Sequence, residues 1–289
     1  MRRLLAALVG CALCADLSSP AAASDADPQP LKVDVLEKGS SSLLGIRKAK
    51  AAVPVDRMHG SAQSEVKKVL KNLSIYRRLP NIRCETDPRI VSYFLDNPEV
   101  AVGIWRVLGV SDVKMTRTSP HTFAADDGQG SRGNLTVVYR DSRQHVLFCD
   151  GVFLNPMNKK PIQARAVIHF RHQPEQMQDG RKFSRHDATM FVSLPSNTVE
   201  AVARAISPVS NKLADRNFEE VSLFIRMMNV AMADQPAWVK DLSTRLTDVT
   251  DEGRSSLVQL ASTVHVEASS RYAGRPPLQT AGRPGHQTR

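Results

Sequence analysis

The sequence predicts an α+β domain: an antiparallel sheet of about six or seven strands with a long C-terminal helix laid across it, and two short helices after the first strand. Three observations predict it. The middle of the 289-residue chain alternates apolar and polar residues with a period of two over several consecutive segments, as strands with one buried face do. Just before it lie two helix starts, Asp87-Pro88 and Asn97-Pro98, each pairing a capping residue with a proline suited to the first turn. After it, residues 217–232 place Val221, Phe224, Ile225, Met228 and Met232 on one helical face, a stripe long enough to span a sheet.

In chain order, Val66, Val69, Leu70 and Leu73 recur at helical spacing and predict a short opening helix. Residues 74–84 then read as one strand. Asp87-Pro88 starts a helix reaching Leu95, with Ile90, Val91, Phe94 and Leu95 as its apolar stripe. Asn97-Pro98-Glu99 starts a second, with Val100, Ile104, Trp105 and Leu108 inward and Gly109 as its stop. The meander follows: Val113 and Met115; Leu135, Val137 and Tyr139; Val146, Phe148 and Val152; Ile162, Ala164, Ala166, Ile168 and Phe170. Turn chemistry at Asp126-Asp127-Gly128, at residues 140–143 and 155–160, and at Gln178-Asp179-Gly180 separates the runs. Residues 181–194 supply a long last strand. Ser196-Asn197-Thr198 then caps a helix carrying Val199, Val202, Ala203 and Ile206, which Pro208 ends. Beyond Pro236, Trp238, Leu242, Leu246 and Val249 continue an amphipathic pattern.

The ends of the chain differ from its middle. Arg2 and Arg3, the apolar stretch of residues 4–15 and Ala21-Ala22-Ala23 form a secretory signal, cleaved after Ala23. The stretch is too short to cross a bilayer, which takes roughly 20 helical residues, and no later segment approaches that length, so no transmembrane segment is expected in the mature chain. A rival reading takes Leu8-Val9-Gly10-Cys11 as a lipobox that would acylate Cys11. Residues 24–62 lack sustained periodicity and read as a flexible linker, residues 63–250 as the folded domain, and residues 251–289 as a flexible basic tail. Arg2, Arg3 and Asp16 leave with residues 1–23, so the formal charge of +10 falls by one to +9. A basic exported chain favours anionic lipid or another anionic envelope surface as partner over nucleic acid, the plainer alternative being a solvated basic surface without a partner. Of the two mature cysteines, Cys84 and Cys149 each sit in an apolar strand-like run, which favours buried thiols over a disulfide.

The order strand, two short helices, consecutive antiparallel strands and long helix resembles that of the START-related helix-grip superfamily. The resemblance is carried by Ser74-Ile75-Tyr76-Arg77-Arg78 and Ile82-Arg83-Cys84 as the first strand and by Asp87-Pro88-Arg89-Ile90-Val91 entering the first helix. Residues 97–109, with Ile104-Trp105, form the second helix and residues 218–232 the gripping one. It spans residues 70–250 and rests on order and patterning, because that superfamily has no shared active-site motif. It implies a strongly curved sheet wrapped on the long helix, and a cavity between them that members use for lipids, sterols, polyketides or other apolar molecules. The candidates to line such a cavity are Phe224, Ile225, Met228 and Met232 from the helix and Ala164, Ala166, Ile168 and Phe170 from a facing strand, with His145 as a polar anchor. The plainer alternative is that the apolar side chains fill an ordinary core and that His145, near a strand end, reaches solvent. Export behind a long linker, and the extra helix before the gripping one, depart from the family's pattern.

The expected function is therefore binding of an apolar or lipid-like small molecule without catalysis. The alternatives are an envelope-associated interaction domain without a ligand and a cyclase- or hydrolase-like enzyme, for which His145, Arg185 and Asp187 would have to converge. No cofactor, metal or catalytic residue is expected. His169 and His172 are three apart on a strand and point to opposite faces, so the denser histidine set, with His186, reads as surface decoration. Arg185 and Asp187 likewise read as exposed cross-strand residues. Neither the serines after Gly39 nor the Gly128-Gln129-Gly130 loop leads into the helix and lysine that a phosphate-binding loop needs.

Overall fold

The computed structural model describes residues 31–154, 161–194 and 208–273. The segment read as an export signal, with Cys11, the turn expected at residues 155–160, the helix expected from Ser196 to Ile206 and the last sixteen residues lie outside the described residues.

The fold is α+β around one large antiparallel sheet. Its strands are β1 (Asp34–Glu37), β2 (Ile75–Arg78), β3 (Asn81–Glu85), β4 (Lys114–Ser119), β5 (Thr122–Asp126), β6 (Arg132–Arg140), β7 (Gln144–Leu154), β8 (Pro161–Gln176) and β9 (Lys182–Ser193). They run in the order β1-β3-β9-β8-β7-β6-β5-β4, with β2 also on β9. Nine strands exceed the six or seven expected, for two local reasons. The single strand expected over residues 74–84 is divided at Leu79-Pro80, so β2 pairs with residues 189–192 of β9 and β3 with residues 183–186, sharing one edge. Pro80 has no N–H to offer the ladder, and the Leu79 N–H bridges the break to the Ala188 carbonyl at 2.9 Å. The other strands not foreseen are β1, in the expected linker, and β5, the second half of a tight hairpin with β4.

Seven α-helices accompany the sheet among the described residues: α1 (Ile46–Ala52), α2 (Gly60–Lys71), α3 (Pro88–Asp96), α4 (Pro98–Val107), α5 (Pro208–Asp234), α6 (Pro236–Thr244) and α7 (Asp251–Ala273). The Asp87 carboxylate caps α3 by accepting from the Arg89 N–H at 3.0 Å, as the Asp-Pro signal predicts. Asn97 behaves differently: its side chain donates back to the Tyr93 carbonyl and closes α3, leaving Pro98 to open α4 without a side-chain cap. Gly109, at φ +69°, ends α4 in the left-handed conformation. Leu108, expected inward, sits at that end and is exposed.

Strand alternation divides the core into two layers. Along β8, Ala164, Ala166, Ile168 and Phe170 enter the large inner cluster, which α3 to α7 complete. Val167, with Val146 of β7 and Phe191 of β9, joins Val66, Val69 and Leu70 of α2 on the outer face. Two boundaries expected from sequence are thereby corrected. Residues 34–62 are not a linker, because β1 extends the sheet and α1 and α2 cover its outer face. Residues 251–273 are not a tail but helix α7, whose Leu257, Ala261 and Val264 are buried in the inner core. Gly253 fits the turn into α7, since a Cβ there would stand 2.8 Å from a methyl of Val249 just before the helix.

Polar ties hold the helices in place. The Arg77 guanidinium, on β2, pairs with Asp215 on α5, its Nε donating to Oδ1 at 3.0 Å, and its Nη1 donates to the Ser41 hydroxyl. At the other end of the sheet, Asp87 is shared by Arg89 and Lys182, which both reach Glu267 on α7. Those cations outweigh burial and hold Asp87 well below the usual carboxylate range.

Candidate functional site

The inner face of the sheet is graded along its strands. Cross-strand pairing sets Leu147, Ile168 and Met190 in one row, then His145, Phe170 and Ala188, then His172 and His186. The first row is apolar and the last is imidazole, so the same face changes character over four residues of β8.

An apolar cavity of about 150 Å³ lies over the first two rows. Its sheet side is Met115, Leu135, Leu147, Ile168, Phe170, Ala188 and Met190. Its helix side comes from α3 and α4, including Phe94, Ala101 and Trp105, and from α5, including Ala214, Phe218, Phe224 and Ile225. Phe224 stands between two rings, edge-on to Phe94 with centroids at 5.1 Å and to Trp105 at 5.3 Å, spacings typical of favourable aromatic pairs. Phe170 makes a similar contact with Phe218 at 6.0 Å. The space exists because Ala188, Ala101 and Ala214 stop short where larger side chains would meet.

Of the residues expected at the site, Ile168, Phe170, Phe224 and Ile225 line this cavity. Ala164 and Ala166 share the strand face but are buried in packed core beside it, and Met228 and Met232 are fully buried further along α5. For these four the plainer core reading applies. His145 is inward and buried, adjoining the cavity through Phe170, its cross-strand partner, without being part of the wall. The contributions of α3 and α4 were not foreseen as part of a site. Their apolar stripes were legible, but only the tertiary docking shows which stripe meets the open half of the sheet.

The histidines are where the structure departs most from expectation. His169 and His172 do point to opposite faces, but neither is exposed. His145, His169, His172 and His186 are all at most 2 % exposed. His169 lies on the outer face, its Nε2 at 2.8 Å from the Gln144 Oε1. On the inner face His145 places Nε2 at 3.0 Å from Asp96 Oδ1, and Asp96 is also paired with Arg140. Burial alone would push the Asp96 carboxyl up, but hydrogen bonds from His145 and Arg140 prevail and hold it below the usual range. His186 Nδ1 is 3.0 Å from the Ser222 hydroxyl of α5, and its Nε2 is 3.8 Å from Cys84 Sγ. Neither ring nitrogen of His172 has a hydrogen-bond partner. Burial pushes His172 and His169 down to about 4 and His186 to about 3, so all three are neutral imidazoles near pH 7. The sequence carried a signal for this, because His172 continues the parity of Ile168 and Phe170.

The arrangement separates the groups an enzyme reading would bring together. Arg185 pairs with Glu175 and Asp187 with Arg171, both with partly exposed side chains on the face opposite His145. Cys84 and Cys149 are free and buried, their thiols pushed up to about 12 by burial. No group of three or more His, Cys, Asp or Glu residues among the described residues is placed to hold a metal ion, and no described helix is long and apolar enough to cross a membrane. A larger cleft of about 400 Å³ lies between β3, the β8–β9 turn, α5 and α7. Its Lys182 and Asp87 are already engaged with each other, and Arg181 with Asp179, and its walls are charged and polar, with Glu85, Arg226 and Asp234 beside them. The smaller cavity, walled almost wholly by carbon, is the better candidate for a ligand.

No protein-family model matches the chain, and no curated protein sequence matches it. Among solved structures eight chains match. One is a conserved protein from Geobacillus kaustophilus, at 13% identity and a TM-score of 0.37, covering 51% of this chain and 93% of that one. That likeness is too slight to carry an argument about fold or function.

Proposed function

We propose that the protein is an exported, non-catalytic carrier or receptor for a small apolar or amphipathic molecule held between the sheet and α5. The carrying observation is the apolar cavity beneath Phe224 and over Phe170. At about 150 Å³ it has the scale of engineered apolar cavities that stay dry and take up benzene, so its ligand is a single ring or a short alkyl segment of a longer molecule. Packing that leaves such a space forgoes dispersion contacts on both walls, and an occupant restores them. The resemblance in element order to helix-grip proteins supports the same reading, with α5 in the place of the gripped helix. The further strand β1, the α1–α2 layer on the outer face and α7 are additions to that plan.

The reading is tested by titrating toluene while following the methyl signals of Ile168, Met190 and Ile225. Shifts of these and the other methyls lining the cavity are expected in the wild type and none in Ala188→Phe, which fills the cavity from the strand side. Wild-type spectra that do not respond would overturn it.

A further inference from the structure

Residues 43–52 form one continuous helical stretch, a 3-10 turn at Leu43–Gly45 leading into α1. Its inward side is ordinary: Ile46 and Ala49 pack against the outer-face cluster and Val53 is buried. Its solvent side is not. Leu43 is 79 % exposed and Leu44 95 %, and helical spacing sets Leu43 beside Arg47 and Leu44 beside Lys48, both cations also exposed. Single exposed leucines are common and need no explanation, but two in succession on a protruding turn within a basic collar do. From Lys38 the chain carries Arg47, Lys48 and Lys50 and meets no acidic residue before Asp56.

The turn is also rigidly mounted. Ser40 and Arg78 exchange backbone hydrogen bonds of 2.8 Å, the Ser41 hydroxyl accepts from Arg77, and a Cβ at Gly45 would stand 3.1 Å from the Tyr76 hydroxyl. The leucines are therefore presented on a fixed base.

We propose that this knob is a membrane-contact site, in which Leu43 and Leu44 enter the acyl boundary of an anionic lipid surface while Arg47 and Lys48 meet its headgroups. A protruding apolar tip with a basic collar suits the interface of such a membrane. Two side chains are far too little for a stable protein interface, which needs on the order of 800 Å² per partner. The inference does not depend on the cavity holding a ligand. It does gain a consequence from it: Ser41 is tied through Arg77 to Asp215 on α5, and the adjacent Ala214 lines the cavity, so docking would bring that end of the cavity towards lipid.

The test is flotation of the protein, purified as its host processes it, with phosphatidylcholine vesicles with and without phosphatidylglycerol. The wild type is expected to float with the anionic vesicles. Leu43→Ser/Leu44→Ser should lower partitioning about tenfold or more, from the loss of two insertable side chains. Arg47→Glu/Lys48→Glu should lower it by a similar factor at low salt and much less at high salt. Both double variants alter exposed residues and should melt with the wild type. Failure of the wild type to float with anionic vesicles, equal flotation with and without phosphatidylglycerol, or undiminished binding by the leucine variant would each overturn the proposal.

Discussion

Phe224 of α5 meets Phe94 of α3 edge to face, their ring centroids 5.1 Å apart, while the same ring borders the cavity. One side chain thus joins two helices and forms part of the candidate site. Phe224→Ala should cost about 3 kcal/mol, the low end for removing a buried phenylalanine, because part of its surroundings is already empty. Urea unfolding measures this, with the midpoint falling at unchanged slope. An unchanged midpoint would mean that the inner face of α5 is not buried.

Acid should destabilise the protein from above the usual carboxylate range downwards. His169, His172 and His186 bind protons near pH 6.5 in the unfolded chain but only at about 4, about 4 and about 3 when folded. Their folded values are depressed, so between pH 6.5 and 4 the unfolded state holds more protons and stability falls as pH falls. Each histidine contributes about 1.4 kcal/mol per pH unit across that window, and all three about 4 kcal/mol per unit. Against a typical domain stability of roughly 5–15 kcal/mol, this places acid unfolding within the window. Urea midpoints from pH 7 to 4.5 should therefore drop steeply, and less steeply in His172→Leu. A flat profile would contradict the burial of these imidazoles.

The Arg77–Asp215 pair should be structural, because the guanidinium has only 8 % of its side chain exposed and ties β2 to α5. Asp215→Ala leaves that cation buried with the Ser41 hydroxyl as its remaining side-chain partner, at a cost of about 3 kcal/mol. Replacing both residues by apolar ones of similar size should recover much of the loss. A single-variant loss below about 0.5 kcal/mol, as for exposed ion pairs, would show that the pair is solvated.

How much was legible follows from what each element buries. Strand β8 alternates its side chains between two buried layers, and that alternation put Ile168 and Phe170 on the inner face correctly, whereas in β6 a bulge after Val137 turns Tyr139, expected on the face of Leu135 and Val137, to the outer layer. Strand β1 has all four residues exposed, so it offers no alternation to read, and β5 has one fully buried residue, Phe123. Helix α7 buries Leu257, Ala261, Val264 and Ala268, a helical stripe of mostly small side chains diluted by serines and followed by a proline- and glycine-rich end. The strand half of the cavity was legible for the same reason as the strands. The helix half was not, because the stripe of α3 or α4 specifies only that it is buried, and its partner is set by tertiary docking. The histidine row was misread because polarity was weighed above the parity that His172 and His186 share with their apolar neighbours. Leu43 and Leu44 escaped notice because nothing in a segment without periodicity marks them as protruding.

A carrier or receptor role requires the cavity to be occupied in the protein's own setting. Native mass spectrometry of protein purified from its host, followed by organic extraction, measures this directly. The account predicts a small apolar or amphipathic molecule bound in a one-to-one complex, released on unfolding and absent from Ala188→Phe. Wild-type protein that appears only at its polypeptide mass, and that takes up no apolar molecule from a lipid extract of the same host, would contradict it.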